Sequence, residues 1–485
     1  MSIAIAVIVP ARSPRRWHAR LVERLRRSGH QVEVRLAPEA VPDGLDTILG
    51  FEALRFGPGL ASRGTLSAGS GDPGMPELVI DLTGTEASSD VPCLTILFDG
   101  QLGLDNAAHT ILTGGQPIVQ TLLDGRAIGL ARPMVSERIW LTRALNDILI
   151  RAVDLLDRSV RAVERGDVTP LPPLVTGSAR RPAAAYWLGI GPKLLHRLML
   201  KLQYKPFHWR VGYRFHPQPI TGLGFEAASD GYATATTPPW VELPEDGSRF
   251  YADPFPVERD GRYLLFVEEF PHATGKGVIS VAEADAHGVF GTPRIVLEEP
   301  FHLSYPQVFQ HGGQFWMIPE TAGGRDLYLY RADPFPDHWV RHAVLLENQP
   351  LSDATLLQQD GQFWLFAADG GEGSSSDSML VFHAQTLDGP FLPHQANPIL
   401  IDQMATRPAG AFILGGQYPV LPVQDGTHGY GSGIGLVELL ELNLDRVRFG
   451  PVQPLQSPGW RCQFKHTTNR AGRLEVIDGV VRQRR

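Results

Sequence analysis

The sequence predicts a multidomain protein, an α/β domain with a parallel sheet followed by an all-β five-bladed β-propeller, and three observations predict it. A strand, Gly-turn, strand unit recurs five times after about residue 245; strand and helix periods alternate before residue 167; and a Pro-rich stretch separates the two regions. At 485 residues the chain is too long for one ordinary core. The expected division is 1–167 for the α/β domain, 168–244 for a connecting segment with a basic amphipathic helix leading into the propeller, and 245–485 for the propeller.

The repeat is read from DPFPVERDGRYLLFVEE (253–269), YPQVFQHGGQFWMIPET (305–321), DATLLQQDGQFWLFAAD (353–369), PAGAFILGGQYPVLPVQ (408–424) and FKHTTNRAGRLEVIDGV (464–480). Each has a polar or Pro start, an apolar strand, a Gly turn and a second apolar or aromatic strand. The turn glycines at 261, 313, 361, 416 and 472 are 52, 48, 55 and 56 residues apart, one four-stranded blade per interval. Pairs such as Asp260-Gly261 and Asp360-Gly361 suit hairpin turns because those turns need positive φ.

In the first region, Ile3 to Val9 is a continuous apolar run typical of a strand buried on both faces, and Trp17 to Ser28 follows with helical spacing. Gln31–Leu36, 77–84 and 91–100 read as further strands. Residues 115–135 read as paired strands around Asp124-Gly125, and 137–165 as a long helix with one apolar face. In open parallel sheets ligands bind beyond the carboxyl ends of strands, which draws attention to Asp81, Thr83, Gly84, Asp99 and Gly100. Strand-terminating turns explain the same residues, and no glycine-rich phosphate motif follows the first strand.

Composition narrows the functional classes. The formal net charge of −8 gives no global attraction to nucleic acid, and Cys93 and Cys462 have neither disulfide nor zinc spacing. No cofactor or metal is expected. The first residues have an apolar run without a preceding basic region, unlike a secretion signal, and no stretch reaches the ~20 apolar residues of a membrane span. A cytoplasmic protein with a candidate peripheral membrane contact is therefore expected. The segment 191–215 sets Leu194, Leu195, Leu198, Met199 and Leu202 at helical spacing among basic residues, which suits either packing between domains or peripheral contact with an anionic membrane.

Aligning the repeats on their glycines places Asp253, Tyr305, Asp353, Arg407-Pro408 and Phe464 with His466 at one end of the propeller axis. Glu268 and Glu269, Glu320, Asp369, and Gln424 with Asp425 recur at the ends of the second strands, and His302, His311 and His338 read as surface or packing residues. Glycosidic chemistry needs one carboxyl group as acid and another as base or nucleophile. Asp253 is the candidate base or nucleophile, Glu320 the acid, Asp353 an orienting or pKa-raising partner, and Glu269 a substitute for Glu320. Arg407 is a candidate for binding an anionic group of the ligand, and Tyr305, Tyr430, His466 and Gln424 for contacting a sugar. A second DPFP at 333–336 falls at an outer turn, so turn chemistry alone also explains Asp-Pro at 253.

The strings FYADPFPV, GRYLLFVEEF, ATGKGVISVAE, VLEEPFHLSYPQVF, WMIPET, LYLYRADPFPDHW, DATLL, RPAG and HTTNRAGRLEVIDG resemble the N-terminal propeller region of plant glucosamine inositolphosphorylceramide transferases and its bacterial relatives, over about 249–479. In the plant proteins a separate glycosyltransferase domain follows. The architecture is also similar to that of the arabinanase and invertase type of glycosidase, whose carboxylates surround the central axis. The order of elements before residue 167 resembles the Rossmann-like N-terminal domain of formyltransferases, without that family's Asn, His, Asp constellation. These resemblances imply a carbohydrate-active protein of cell-surface glycan or glycolipid biosynthesis, acting on a sugar, a glycolipid or a nucleotide sugar. The alternative is a non-catalytic glycan or headgroup-binding module that recruits a glycosyltransferase.

Overall fold

The computed structural model describes residues 2–38, 45–66, 75–85, 90–172, 181–204, 208–219, 238–455, 460, 462 and 464–480. The chain divides into two compact units, Met1–Leu200 and Lys201–Arg485. Of the connecting stretch 168–184, residues 173–180 lie outside the described residues, as does Lys205 of the basic segment.

The first unit holds β1 (Ala4–Pro10), α1 (Arg16–Arg27), β2 (Gln31–Ala37), α2 (Asp46–Phe56), β3 (Leu78–Asp81), β4 (Cys93–Phe98), α3 (Asp105–Leu112), β5 (Val119–Leu123), β6 (Arg126–Ala131), α4 (Leu141–Glu164) and most of α5 (Ala183–Gln203). Its sheet runs β2-β1-β3-β4-β5-β6, parallel across the first four strands and antiparallel across the last two pairs. The parallel part follows from strands that are apolar on both faces: Ile5, Ala6, Val7 and Val9 are all fully buried. The antiparallel turn follows from Asp124 and Gly125, whose φ of 48° and 76° match a two-residue hairpin. Buried Glu52 on α2 accepts hydrogen bonds from the Leu141 and Thr142 amides at 2.9 and 2.6 Å, so a carboxylate satisfies the positive start of α4. Asp81 accepts from the Thr83 and Gly84 amides, and Asp99 from the Ile118 amide, which are the contacts of strand-terminating turns.

The second unit begins with β7 (Trp209–Phe215) and β8 (Val241–Glu242). Blade one follows as β9 (Arg249–Arg259), β10 (Arg262–Pro271), β11 (Val278–Glu283) and β12 (Arg294–Leu297). Blade two is β13 (Ser304–His311), β14 (Gln314–Glu320), β15 (Leu327–Ala332) and β16 (Trp339–Leu346), and blade three is β17 (Leu351–Gln359), β18 (Gln362–Asp369), β19 (Met379–Ala384) and β20 (Leu392–Pro393). Blade four is β21 (Val420–Asp425), β22 (Gly433–Leu442), β23 (Val447–Phe449) and β24 (Gln453–Pro454), and β25 (Thr468–Ala471) and β26 (Leu474–Val480) follow. Five sheets of four strands result, which is a five-bladed propeller. In blade four, residues 407–413 run beside β21 through Ala409–Pro422 and Ile413–Val420 backbone bonds, so the hairpin read around Gly416 is present in irregular form.

One boundary differs from the sequence reading. The fifth blade is β25-β26-β7-β8, with Phe215 opposite Leu474 and Trp209 opposite Val480, so the propeller starts at Trp209 rather than at 245. The cause is a pairing between the two ends of the unit, which hides the edge of β26 and closes the ring without a covalent link. Blades pack through apolar faces. Phe266, Ile279 and Val281 meet Tyr305, Met317 and Tyr330 between blades one and two, and Tyr213 and Val476 meet Tyr251 and Leu265 between blades five and one. The second DPFP lies in the outer turn between β15 and β16, where the Asp333 amide donates to the His338 carbonyl at 2.7 Å.

Candidate active site at the propeller axis

The site is built by one irregularity repeated in three blades. The pairing of β9, β13 and β17 with their neighbours slips at Asp253-Pro254, Tyr305-Pro306 and Asp353-Ala354, and the first residue of each pair has a φ of 49°, 45° or 52°. A β-bulge re-aims a side chain at the price of leaving an amide out of the ladder. Positive φ at a non-glycine residue costs roughly 1–2 kcal/mol, so something must hold it.

Carboxylates from the preceding blade hold it. The Asp253 amide donates to Asp478 Oδ2 at 3.0 Å, the Tyr305 amide to Asp253 Oδ2 at 3.1 Å, and the Asp353 amide to Glu320 Oε2 at 3.1 Å. Arg407 of blade four closes the next step, with Nε donating to Asp353 Oδ2 at 2.6 Å and a second nitrogen to Oδ1 at 3.3 Å. Blade thus clasps blade around the axis through acids and the amides that the bulges release.

Above this ring lies a cavity of about 230 Å³. Asp253, Glu268, Glu320, Arg407 and His466 supply its polar wall, and Trp209, Phe250, Phe270 and Tyr430 its aromatic one, with His302 and Ser304. Trp209 and His466 stack at 3.8 Å, and Arg407 lies 5.1 Å from the Tyr430 ring centre. A small concave site with aromatic faces and several convergent acids suits a polyol with apolar ring faces, such as a single sugar.

Burial sets the protonation states. It pushes the Glu268 and Glu320 carboxyls well above the usual range, with neighbouring acids adding to it. Asp253 is pushed up to about 6 by burial and by Asp353 and Asp478, against the opposing pull of His466. Burial alone would lower His466, but the carboxylates of Asp478 and Asp253 outweigh it and raise its pKa. Its Nδ1 donates to Asp478 Oδ2 at 2.5 Å. The cavity therefore sets two glutamic carboxyls raised by burial beside an aspartate that ionises at about 6, and raised carboxyl groups in one cavity are what acid and base roles draw on.

Of the nine residues singled out by sequence, five line the cavity: Asp253, Glu320, Arg407, Tyr430 and His466. Four do not. Asp353 is only 1% exposed and is saturated by Arg407 and by Gln424 Nε2 at 2.8 Å, so both Asp353 and Gln424 support Arg407 from behind. Tyr305 is fully buried, its hydroxyl bonded to Thr355 and to the Gly410 amide, which removes it as a sugar contact. Glu269 faces the other side of its strand, paired with Arg249 Nη1 at 2.6 Å and Ser280 at 2.7 Å, because adjacent strand residues alternate faces. The anion expected opposite Arg407 is supplied in cis by Asp353.

Sequence reasoning named Glu268 among the strand-end carboxylates without assigning it a role, read His302 as a surface or packing residue, and passed over Asp478. The first was findable, since Glu268 follows Asp253 by fifteen residues, as Glu320 follows Tyr305, and both stand opposite the residue just before a bulge. His302 lies in the cavity wall. Its Nδ1 accepts the Gly277 amide at 2.9 Å, which leaves Nε2–H directed at Glu268 Oε1, 3.3 Å away. Asp478 has no counterpart in the other repeats. Asp253, His466 and Asp478 place potential metal-ligand atoms within 4.8 Å of one another, although spacing in the sequence gives no such signal. Those of Asp478 are already occupied by the Asp253, His466 and Thr467 amides and by the His466 ring.

Residues 239–459 match the family described as glucosamine inositolphosphorylceramide transferase 1, N-terminal. The transferase 1 of that name from Oryza sativa subsp. japonica is 31% identical over 262 residues, covering 50% of this chain and 34% of the relative. Its counterpart from Arabidopsis thaliana is 34% identical over 209 residues, covering 41% and 27%. The chain thus spans about a third of the length of these curated relatives. Among solved structures, an exo-β-1,3-galactanase from Clostridium thermocellum aligns with a TM-score of 0.38 and 14% identity, covering 53% of this chain and 63% of that one. A thermostable family-43 glycoside hydrolase aligns at 0.34 and 12%, covering 43% and 76%. The propeller described above is thus similar in sequence to the N-terminal region of the glucosamine inositolphosphorylceramide transferases.

Proposed function

We propose that the axial cavity binds one sugar unit of a cell-surface glycan or glycolipid under assembly and makes or breaks its glycosidic bond. One observation carries this reading: a single cavity is lined by three carboxyl groups that burial raises, Glu320 and Glu268 well above their ordinary range and Asp253 to about 6. Glu320 then protonates the departing oxygen, and Asp253 acts as base or nucleophile on the opposite side of the sugar. Asp353 is a positioning residue, holding Arg407 in the wall and, through its amide, Glu320. A nucleotide sugar is the proposed donor for transfer, in a cytoplasmic setting where glycans are assembled. The relatives bear the name of a glycolipid-forming transferase, which supports a glycolipid as the acceptor.

A second reading has its own support. The acids also clasp the blades together, and the sequence match is to the N-terminal region of longer proteins, so the cavity can serve as a headgroup-binding module for a partner glycosyltransferase. A screen of nucleotide sugars and glycosides against wild type, Asp253→Asn and Glu320→Gln separates the two. Catalysis predicts turnover by wild type that falls by at least ~100-fold in either variant. Sugar binding without turnover in all three proteins rejects the first reading for the second, and absence of both binding and turnover rejects both.

A further inference from the structure

Helix α5 turns its apolar residues outward. Leu188 is 80% exposed, Leu195 59% and Leu202 64%, and Trp187, Leu198 and Met199 are each about half exposed. At ~100° of rotation per residue these six fall on one face about 120° wide. Lys193 and Arg197 lie on another side of the helix and tie it to the first unit: Lys193 Nζ donates to the Leu112 carbonyl at 2.7 Å, and Arg197 pairs with Glu137 at 2.6 Å. The helix is thus anchored by its cations with its leucines turned away. The apolar surface continues onto α2, where Phe51 packs against Trp187 at 5.4 Å and Leu54 is 88% exposed.

Charge selects what covers this surface. Residues 181–203 contain Arg181, Lys193, Arg197 and Lys201 and no Asp or Glu. Residues 1–200 carry 22 Lys and Arg against 20 Asp and Glu, a net +2, whereas 201–485 carry 22 against 32, a net −10. An apolar face on the positive part of the chain complements an anionic lipid surface, while a second copy would bring like-charged helices together. Among the described residues no helix is long and apolar enough to cross a membrane, so α5 suits the interface plane.

We propose that α5, with Phe51 and Leu54 beside it, docks the protein on an anionic phospholipid bilayer. This does not depend on the reaction at the propeller. The test is flotation of the full chain with phosphatidylcholine vesicles with and without phosphatidylglycerol, at low and high salt, for wild type and the double variant Leu195→Glu, Leu202→Glu. Expected is binding to the anionic vesicles that weakens with salt and falls at least about tenfold in the variant, whose melting temperature is unchanged because both sites are exposed. The proposal is overturned if wild type stays off anionic vesicles at low salt, or if the variant floats equally well. It is also overturned if light scattering shows a dimer that the variant dissociates while wild type ignores lipid.

Discussion

Asp353 and Arg407 are each less than a tenth exposed and depend on each other, which makes their pairing measurable. Asp353→Asn leaves a buried guanidinium short of its counter-charge and is expected to cost about 3–5 kcal/mol in chemical denaturation. Glu320→Gln, by contrast, replaces a carboxyl whose charged form burial disfavours, so its stability at pH 7 is expected to stay within about 1 kcal/mol of wild type. Asp253 behaves differently again. Its carboxyl is raised to about 6 in the folded chain against about 3.9 when unfolded, so the folded state binds the extra proton between those values. Stability contributed by this group is present at pH 4 and is lost as pH rises through 6, by up to about 3 kcal/mol. Comparing the pH dependence of unfolding for wild type and Asp253→Asn checks this: the stability difference should move in favour of the variant as pH rises from 4 to 7.

At the scale of the element, two glycines of blade four separate what the repeat marks from what the packing needs. Gly416 aligns with the turn glycines of the other blades, yet a Cβ there meets nothing closer than the Tyr418 carbonyl at 3.5 Å. Gly410 is not part of the repeat pattern. It has a φ of +147°, its amide donates to the Tyr305 hydroxyl, and a Cβ would sit 2.1 Å from the Thr468 carbonyl in blade five. Gly410→Ala is expected to destabilise by about 3 kcal/mol or more and Gly416→Ala by under about 0.5 kcal/mol, read from paired thermal melts. The bulges belong to this scale too. Their positions recur at Asp253, Tyr305 and Asp353, but only Asp253 keeps its side chain in the cavity, because Tyr305 and Asp353 are drawn into contacts with blades three and four.

For the whole molecule, closure of the ring through β7 and β26 gives the propeller unit an N-terminal limit that can be tested by truncation. A chain of residues 201–485 is expected to unfold in one cooperative transition. A chain of 245–485, cut where the sequence pattern begins, loses both outer strands of blade five and exposes the edge of β26, and is expected to aggregate in size-exclusion chromatography. Equal behaviour of the two truncated chains would show that the β7–β26 pairing contributes little. Trp209 adds a second consequence, since the closing strand also supplies an aromatic wall of the cavity, stacked on His466.

The sequence by itself determined the five repeats, the hairpin turns and the buried strand β1, because these rest on local rules: positive φ at a turn, alternation along a strand, apolar runs in a parallel sheet. It also brought Asp253, Glu320, Arg407 and His466 into view, since residues at equivalent repeat positions gather at one end of the axis. The register of fifteen residues from Asp253 to Glu268 was equally present, but Glu269 beside it has the same chemistry, and only the pleat decides which carboxyl faces the axis. Tertiary structure alone decided that Asp353 is sealed behind Arg407, 54 residues away, that Asp478 clasps Asp253 across 225 residues, and that the chain's own Trp209 closes the last blade. Those outcomes depend on which buried charges find partners in neighbouring blades, and pairing between residues so far apart is fixed by the closed ring rather than by any local pattern.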